Sequence, residues 1–501
     1  MKNWLYSENP LDIDDNTKNI IFDNLPIKYR TDKYLNAVIV IVHRLSNIPW
    51  YTQKEVLDEI NLNKDELIKL NEVIRESVFL QDLIIKRGLG RKYWNTISPF
   101  SNLTKNVINH KYNFPFRIAI FPGLSCMFYC GFCGRNQKAR YPGSLLKDGN
   151  KRFENIFKNL PNTSAISISG GLEPLTNPQL GNLISYAKSL GIRVPLITNG
   201  HSLTPNYLKK HTGLWDLDSL RISLYGIDEE SYDFITRKPG SYELVKNNTI
   251  NFLKERNKIN SNLKFGFNYI IIPETIDHMP PLLNLISEIN SKVDNGPGVD
   301  FLTLREDFGS VTEGSVADDE NRIYRLENFI TTDDRKTLIK TFKDFNKLQQ
   351  EICPDLHVDF GYALVAISEG KVGKSLLKVD GTKMRKSGFP QLSVAVDLNG
   401  DIFLYREAGF LDRPGNSKFI LGRISEDKSF EDVIREFVES KEAVVPVKHD
   451  NRFMDSFDHL LTMLTNQAQK DSEFGVPFDL GPVKDRCSEK DIKLGNNWYK
   501  K

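Results

Sequence analysis

The sequence predicts an α/β protein, and three observations carry that reading. Six short apolar runs lie between residues 116 and 304, separated by stretches of helical periodicity. Residues 1–110 show helical periodicity alone, and past residue 390 a strand–turn–strand pattern replaces the alternation. Strand alternating with helix at this spacing builds parallel βα units. Six units are too few to close an eight-fold ring. The expectation is therefore a partial (βα)6 TIM-type barrel with a helical N-terminal domain and a C-terminal α+β extension.

In chain order, the N-terminal domain (1–110) opens its clearest helix at Thr52-Gln53-Lys54-Glu55, a capping box followed by the apolar stripe Val56, Leu57 and Ile60. Leu67, Leu70, Val73 and Ile74 continue at helical spacing and read as ordinary core. In the barrel (111–310) the strands are expected at 116–121, 165–169, 194–198, 220–224, 265–272 and 299–304, with helices over 178–190 and 242–255. In the extension (311–501), Thr332-Asp333-Asp334 opens a helix whose stripe includes Leu338, Phe342 and Phe345. Residues 381–388 read as a basic, glycine-punctuated loop. Residues 392–396, the turn Asn399-Gly400 and residues 402–405 give a hairpin signal.

Lys and Arg number 67 against 65 Asp and Glu, a formal net charge of +2. That balance argues against a dedicated nucleic-acid binder and leaves room for a local cationic pocket. Five cysteines in 501 residues are too few for a secreted disulfide scaffold. The N-terminus has no charged-then-apolar leader pattern, and the longest apolar run, 37–42, is too short to span a bilayer. A soluble, cytoplasmic chain without nucleic-acid or membrane partners is the expectation.

Cys126-Met127-Phe128-Tyr129-Cys130-Gly131-Phe132-Cys133 follows the first strand, and parallel sheets build active sites at the C-terminal ends of their strands. Three thiolates this close can ligate three irons of one cubane, leaving the fourth iron open to the amino and carboxylate groups of a methionine. Cys130-Gly131-Phe132-Cys133 alone would suit a redox dithiol, but a third cysteine four residues earlier is not expected there. A structural zinc needs four ligands, and the nearest histidine is His110. The cluster is the reading that uses all three thiols. A non-catalytic zinc-binding module is the alternative of another class.

Cys-x3-Cys-x2-Cys after a first strand resembles the signature of the radical S-adenosylmethionine enzymes, and the resemblance covers residues 115–305. It implies one [4Fe-4S] cluster on Cys126, Cys130 and Cys133, with S-adenosyl-L-methionine cleaved to a 5′-deoxyadenosyl radical. Ser169-Gly170-Gly171-Leu172-Glu173-Pro174 follows the second strand and looks like the family's Gly-Gly-Glu segment, with Leu172 inserted before the glutamate. By itself the pair reads as a turn; by resemblance Gly170, Gly171 and Glu173 would bind the methionine ammonium. Phe132 holds the place whose backbone reads the adenine. Asn199, ending the third strand, and Ser223, near the fourth, would meet the ribose or the methionine carboxylate, or be satisfied polar groups of the barrel; Asn268 would face inward from the fifth. Arg305-Glu306-Asp307 ends the sixth strand, either as a solvated strand end or with Arg305 set for a carboxylate or phosphate and Glu306 as a base.

The hairpin, followed by Ile420-Leu421-Gly422-Arg423-Ile424, is similar to the SPASM-like extension of radical peptide-modifying enzymes. There a cysteine follows the hairpin and holds an auxiliary cluster. Here the position is Tyr405, and Cys353 and Cys487 cannot hold a second cubane. The hairpin is thus expected without auxiliary-cluster cysteines, as a lid or substrate wall.

A single-cluster chain of this length carrying Arg305-Glu306-Asp307-Phe308 and Tyr405-Arg406-Glu407-Ala408-Gly409-Phe410 resembles the TDP-4-amino-4,6-dideoxy-D-glucose ammonia-lyases of desosamine biosynthesis. That resemblance implies a nucleotide-sugar substrate and an external electron donor such as flavodoxin or ferredoxin. Arg406, Arg413, Lys383 and Arg385 would be cations for the diphosphate, or ordinary surface charge. Hydrogen would leave sugar C3 and ammonia C4, giving a 3-keto sugar, with Glu306 or Tyr405 as the base near the C3 hydroxyl. A peptide-modifying maturase is the alternative within the class.

Overall fold

The computed structural model describes residues 9–46, 52–85, 101–130, 133, 139–162, 164–259, 261–293, 296–306, 334–361, 364, 388–410, 413, 415–440, 453–454 and 456–476. Its strands are β1 (Arg117–Phe121), β2 (Ala165–Ile168), β3 (Pro195–Thr198), β4 (Ser219–Leu224), β5 (Lys264–Ile271) and β6 (Phe301–Glu306), then β7 (His357–Phe360), β8 (Ser393–Asp397), β9 (Asp401–Phe403) and β10 (Ile420–Arg423). They form one open sheet in the order β10-β9-β8-β1-β2-β3-β4-β5-β6-β7. From β1 to β7 every neighbour pair is parallel, so the six βα units run in sequence order as a partial barrel.

Two features extend the expected sheet. β7 adds a seventh parallel strand, with Phe301 opposite His357. Its four residues, His-Val-Asp-Phe, form no apolar run, because an end strand needs only part of its surface covered. β8 pairs parallel with β1, Arg117 opposite Ser393, and then turns back antiparallel into β9. Gly400, at φ +86°, makes that turn, where a side chain would be strained.

Alternation along the strands divides the sheet into two faces. Ile118, Ile168, Leu196, Ile222, Phe267 and Leu304 point into the core under the surrounding helices. That core takes Phe153 and Phe157 from helix Leu146–Lys158, Leu183 and Ile184 from helix Leu180–Ser189, and Leu338, Phe342 and Phe345 from helix Asp334–Ile352. On the inner face near β1, β8 and β9 the residues are apolar: Ala119, Phe121, Ala395 and Phe403. Along β4 to β7 the inner positions include Arg221, Ser223, Asn268, Thr303, Arg305 and Asp359, interspersed with Gly266, Ile270 and Phe301.

The N-terminal helices have a separate core of Val38, Val42, Leu67, Leu70, Ile74 and Leu80, which meets the sheet through Phe116 and Leu392. The capping box forms as read: the Thr52 hydroxyl accepts from Glu55 N at 3.2 Å, and the Glu55 carboxylate accepts from Thr52 N at 2.6 Å. No helix among the described residues is long and apolar enough to cross a membrane.

Gly266 shapes the inner face. Arg221, Gly266 and Phe301 stand in register on β4, β5 and β6, and the Arg221 guanidinium carbon lies 5.1 Å from the Phe301 ring centroid. A Cβ at residue 266 would clash with the Phe301 ring and its carbonyl oxygen. Gly266→Ala is expected to lower the unfolding free energy by about 1–3 kcal/mol, the usual cost of overpacking. The denaturant midpoint measures it, and an unaltered midpoint would contradict this account.

Candidate active site

The described residues of the loop after β1 form no helix or strand, so their backbone groups must find partners elsewhere. They find them in the loop after β2. Thr176 Oγ1 accepts from Leu124 N at 2.9 Å and Ser125 N at 3.2 Å, and donates to the Glu173 carbonyl at 2.6 Å. Glu173 N donates to the Ser125 carbonyl at 2.8 Å, and Asn177 Nδ2 to the Pro122 carbonyl at 3.1 Å. Gly123 is required by this close approach, because a Cβ there would stand 2.6 Å from the Glu173 carbonyl oxygen. Further on, Tyr129 N donates to the Thr236 carbonyl at 2.9 Å.

Cys126, Cys130 and Cys133 are half-buried cysteines on this loop. Cys133 N donates to the Cys130 carbonyl at 3.0 Å, which folds the last two together. Burial, followed by the adjacent Cys133 and Cys126, pushes the Cys130 thiol well above its ordinary range, while a hydrogen bond with Tyr225 acts in the opposite direction. Thiols so placed ionise together only when a cation compensates them, so the donor set suits an iron–sulfur cluster. Among the described residues no three His, Cys, Asp or Glu side chains gather closely enough to hold one metal ion. Cubane ligands differ from such a set in sitting on separate irons.

Gly170 and Gly171 follow β2. Gly171 has φ +41°, and a Cβ on it would lie 2.7 Å from the Gly409 carbonyl oxygen, so the C-terminal segment packs directly on this loop. Glu173 is buried and largely committed to the protein itself. Its Oε1 accepts from Leu175 N at 3.1 Å and from the Thr198 hydroxyl, and its Oε2 from Asn199 N at 2.8 Å. Three of about four carboxylate acceptor sites are thereby filled. Asn199 continues the chain of contacts, its Nδ2 lying 3.0 Å from Met127 Sδ and 3.7 Å from Cys126 Sγ. Ser223 is half-buried at the end of β4, in register with Asn268.

Arg305 is half-buried on β6, and Arg406 donates from its guanidinium to Ser169 Oγ at 2.8 Å, beside the glycine pair. Tyr405 is buried among Phe403, Leu404 and Phe419, its ring 4.9 Å from that of Phe419. Glu306 closes β6 opposite Ile271; its side chain, Phe132, Lys383, Arg385 and Cys487 lie outside the described residues. Arg413 is not a surface cation. It is 1% exposed, donates to the Glu407 carbonyl at 2.8 Å and stacks 4.9 Å from the Phe453 ring centroid. Cys353 is buried far along the chain, its thiol 3.7 Å from the Leu283 carbonyl.

Thr176, Tyr225 and Arg221 escaped the sequence reading. A loop threonine carries no signal before its partners are known. Arg221 had one: a charge between Leu220 and Ile222, in the middle of a strand that reads as buried.

The Radical SAM superfamily model matches residues 120–286. The chain is 34% identical to a dTDP-4-amino-4,6-dideoxy-D-glucose ammonia-lyase from Streptomyces venezuelae over 437 residues, 86% of this chain and 87% of that protein. It is 32% identical to an AdoMet-dependent heme synthase of Methanosarcina barkeri over 119 residues, 24% of this chain and 33% of the relative. Among solved structures it is similar to Streptococcus suis SuiB, with TM-score 0.41 and 17% identity over 80% of each chain.

Burial raises the Glu173 carboxyl from 4.5 to about 7, against the hydrogen bonds from Thr198, Asn199 and Leu175. A folded value above the unfolded one means that the folded chain holds the extra proton between these limits. Its contribution to stability therefore falls as pH rises from 4.5 to about 7. Glu173→Gln removes the titration, so the variant is expected to gain stability relative to the unaltered chain across that window. Denaturant unfolding of both at the two ends tests this; a constant difference would count against it.

Proposed function

The chain belongs to the Radical SAM superfamily, and on that footing we propose that it is an ammonia-lyase acting on a nucleotide-linked amino deoxysugar. It is an enzyme that uses S-adenosylmethionine and an iron–sulfur cluster. The observation that carries the finer reading is similarity to the Streptomyces ammonia-lyase along most of both chains, well beyond the segment common to the superfamily. We assign a single [4Fe-4S] cluster to Cys126, Cys130 and Cys133, since Cys353 and Cys487 cannot complete a second one.

When bound, the cluster and S-adenosylmethionine supply a 5′-deoxyadenosyl radical. The protein's part is to bind, orient and exclude water. Gly170 and Gly171 offer backbone groups to the methionine end, with Glu173 chiefly holding their loop in place. Asn199 lies between that loop and Cys126, and Ser223 stands on the neighbouring strand toward the ribose; Phe132 offers its backbone to the adenine. Arg305 and Arg406 suit an anionic substrate group. Glu306, at the open end of β6, is the base for the C3 hydroxyl; Tyr405 is less suited, being enclosed in apolar side chains. Hydrogen leaves sugar C3 and ammonia leaves C4, and one electron with one proton completes a 3-keto-4,6-dideoxy sugar. A cytoplasmic reductant such as flavodoxin or ferredoxin would supply the electrons.

The test is anaerobic incubation of reconstituted protein with S-adenosylmethionine, dithionite and dTDP-4-amino-4,6-dideoxy-D-glucose. Ammonia and a keto sugar are expected, together with 5′-deoxyadenosine, and Cys130→Ala should abolish all three. Deoxyadenosine without ammonia would keep the radical chemistry and reject this substrate.

A further inference from the structure

The inner face of β4 to β7 carries a row of buried polar groups, and two of their oxygens have no hydrogen-bond partner. Arg221 is 7% exposed in the middle of β4, with its guanidinium over Phe301. Burial first, then the Arg305 guanidinium, brings its pKa down to about 9; Asp359 opposes this, and Arg406 adds to it. Among the described residues, the charges acting on Arg221 include the Arg305 and Arg406 guanidiniums and the Asp359 carboxylate. Next to it stands a second row, Ser223, Asn268, Thr303 and Asp359, in register across four strands. In that row Asn268 Oδ1 and Thr303 Oγ1 are buried without a hydrogen-bond partner. Their residues are only 9% and 2% exposed.

Burying a guanidinium near other cations and leaving two polar oxygens unsatisfied are both unfavourable. A ligand bearing an anion at one end and hydroxyl or amino groups at the other would relieve both. A guanidinium suits phosphate particularly well, because its planar fork can donate two parallel hydrogen bonds.

We infer that this stretch of the inner face holds the sugar diphosphate of the substrate, with Arg221 binding phosphate alongside Arg305 and Arg406, and Asn268 and Thr303 hydrogen-bonding the sugar. The inference rests on the nucleotide-sugar reading and adds three residues to it. Arg221 stands one row before Asn268 and Thr303, and Arg305 one row after them, so the two cationic residues flank the row assigned to the sugar.

Calorimetric titration of the reconstituted protein with thymidine diphosphate, and separately with S-adenosylmethionine, tests this. The unaltered enzyme is expected to bind thymidine diphosphate. Arg221→Met should weaken it roughly tenfold or more, the loss of a charge-assisted contact, while S-adenosylmethionine still binds. Thr303→Val should weaken the amino-sugar nucleotide but not thymidine diphosphate. If Arg221→Met does not fold, Arg221→Lys should still weaken the diphosphate, having charge but no fork. Equal diphosphate binding by the unaltered chain and the folded Arg221 variants would overturn the inference and leave the nucleotide-sugar reading standing. No binding of thymidine diphosphate by the unaltered chain would overturn that reading itself.

Discussion

Glu173 ties three strand ends into one unit, and the geometry of the site depends on that tie. Its backbone N–H and carbonyl hold Ser125 and Thr176, while its carboxylate holds the Thr198 hydroxyl and Asn199 N. Asn199 in turn reaches Met127 and Cys126. An irregular loop would ordinarily sample many conformations, because each free residue gains backbone entropy of about 1–2 kcal/mol. Here the loop before Cys126 takes its position from β2 and β3, two strands in the middle of a parallel sheet. The raised carboxyl of Glu173 is the physical signature of the tie: burial resists its charge while three donors favour it.

The second organising constraint is the division of the inner sheet face. Around β1, β8 and β9 it is apolar and packed against the C-terminal segment. Along β4 to β7 it is polar and cationic. The seam between the halves passes beside the glycine pair, where Gly409 packs on Gly171 and Arg406 reaches Ser169. The C-terminal hairpin therefore does more than extend the sheet. By pairing β8 with β1 it brings a cation to the edge of the region where cofactor and substrate are expected to meet.

Much of this was legible in the sequence because its signals are local. Each of the six apolar runs became a strand within one or two residues, and the Thr52 capping box and the Asn399-Gly400 turn formed where they were read. The long-range pairings were not legible. Nothing in Ser393–Asp397 announces β1 as its partner, and His357–Phe360 is too short and polar to stand out. At the candidate site, the cysteines were singled out by spacing and the glycines by resemblance, while Thr176 and Tyr225 were not, since their contacts exist only through residues distant in sequence. Arg413 shows the reverse error. A charge in an irregular stretch reads as exposed, yet it is enclosed by Glu407 and the Phe453 ring.

Arg413 also bears on how the hairpin region holds together. Tyr405 follows β9 at the end of the hairpin. Its ring packs with Phe419, Phe419 packs with Phe453 at 4.8 Å between centroids, and Arg413 covers Phe453. Each buried aromatic contributes about 1.5–3 kcal/mol, with roughly 0.5–1.5 kcal/mol more for each ring pair. A chain of such contacts anchors the segment. Arg406, the next residue after Tyr405, is fixed at its start by the buried ring and extends its guanidinium to Ser169. Apolar packing on one side of the hairpin thus positions the cation on the other.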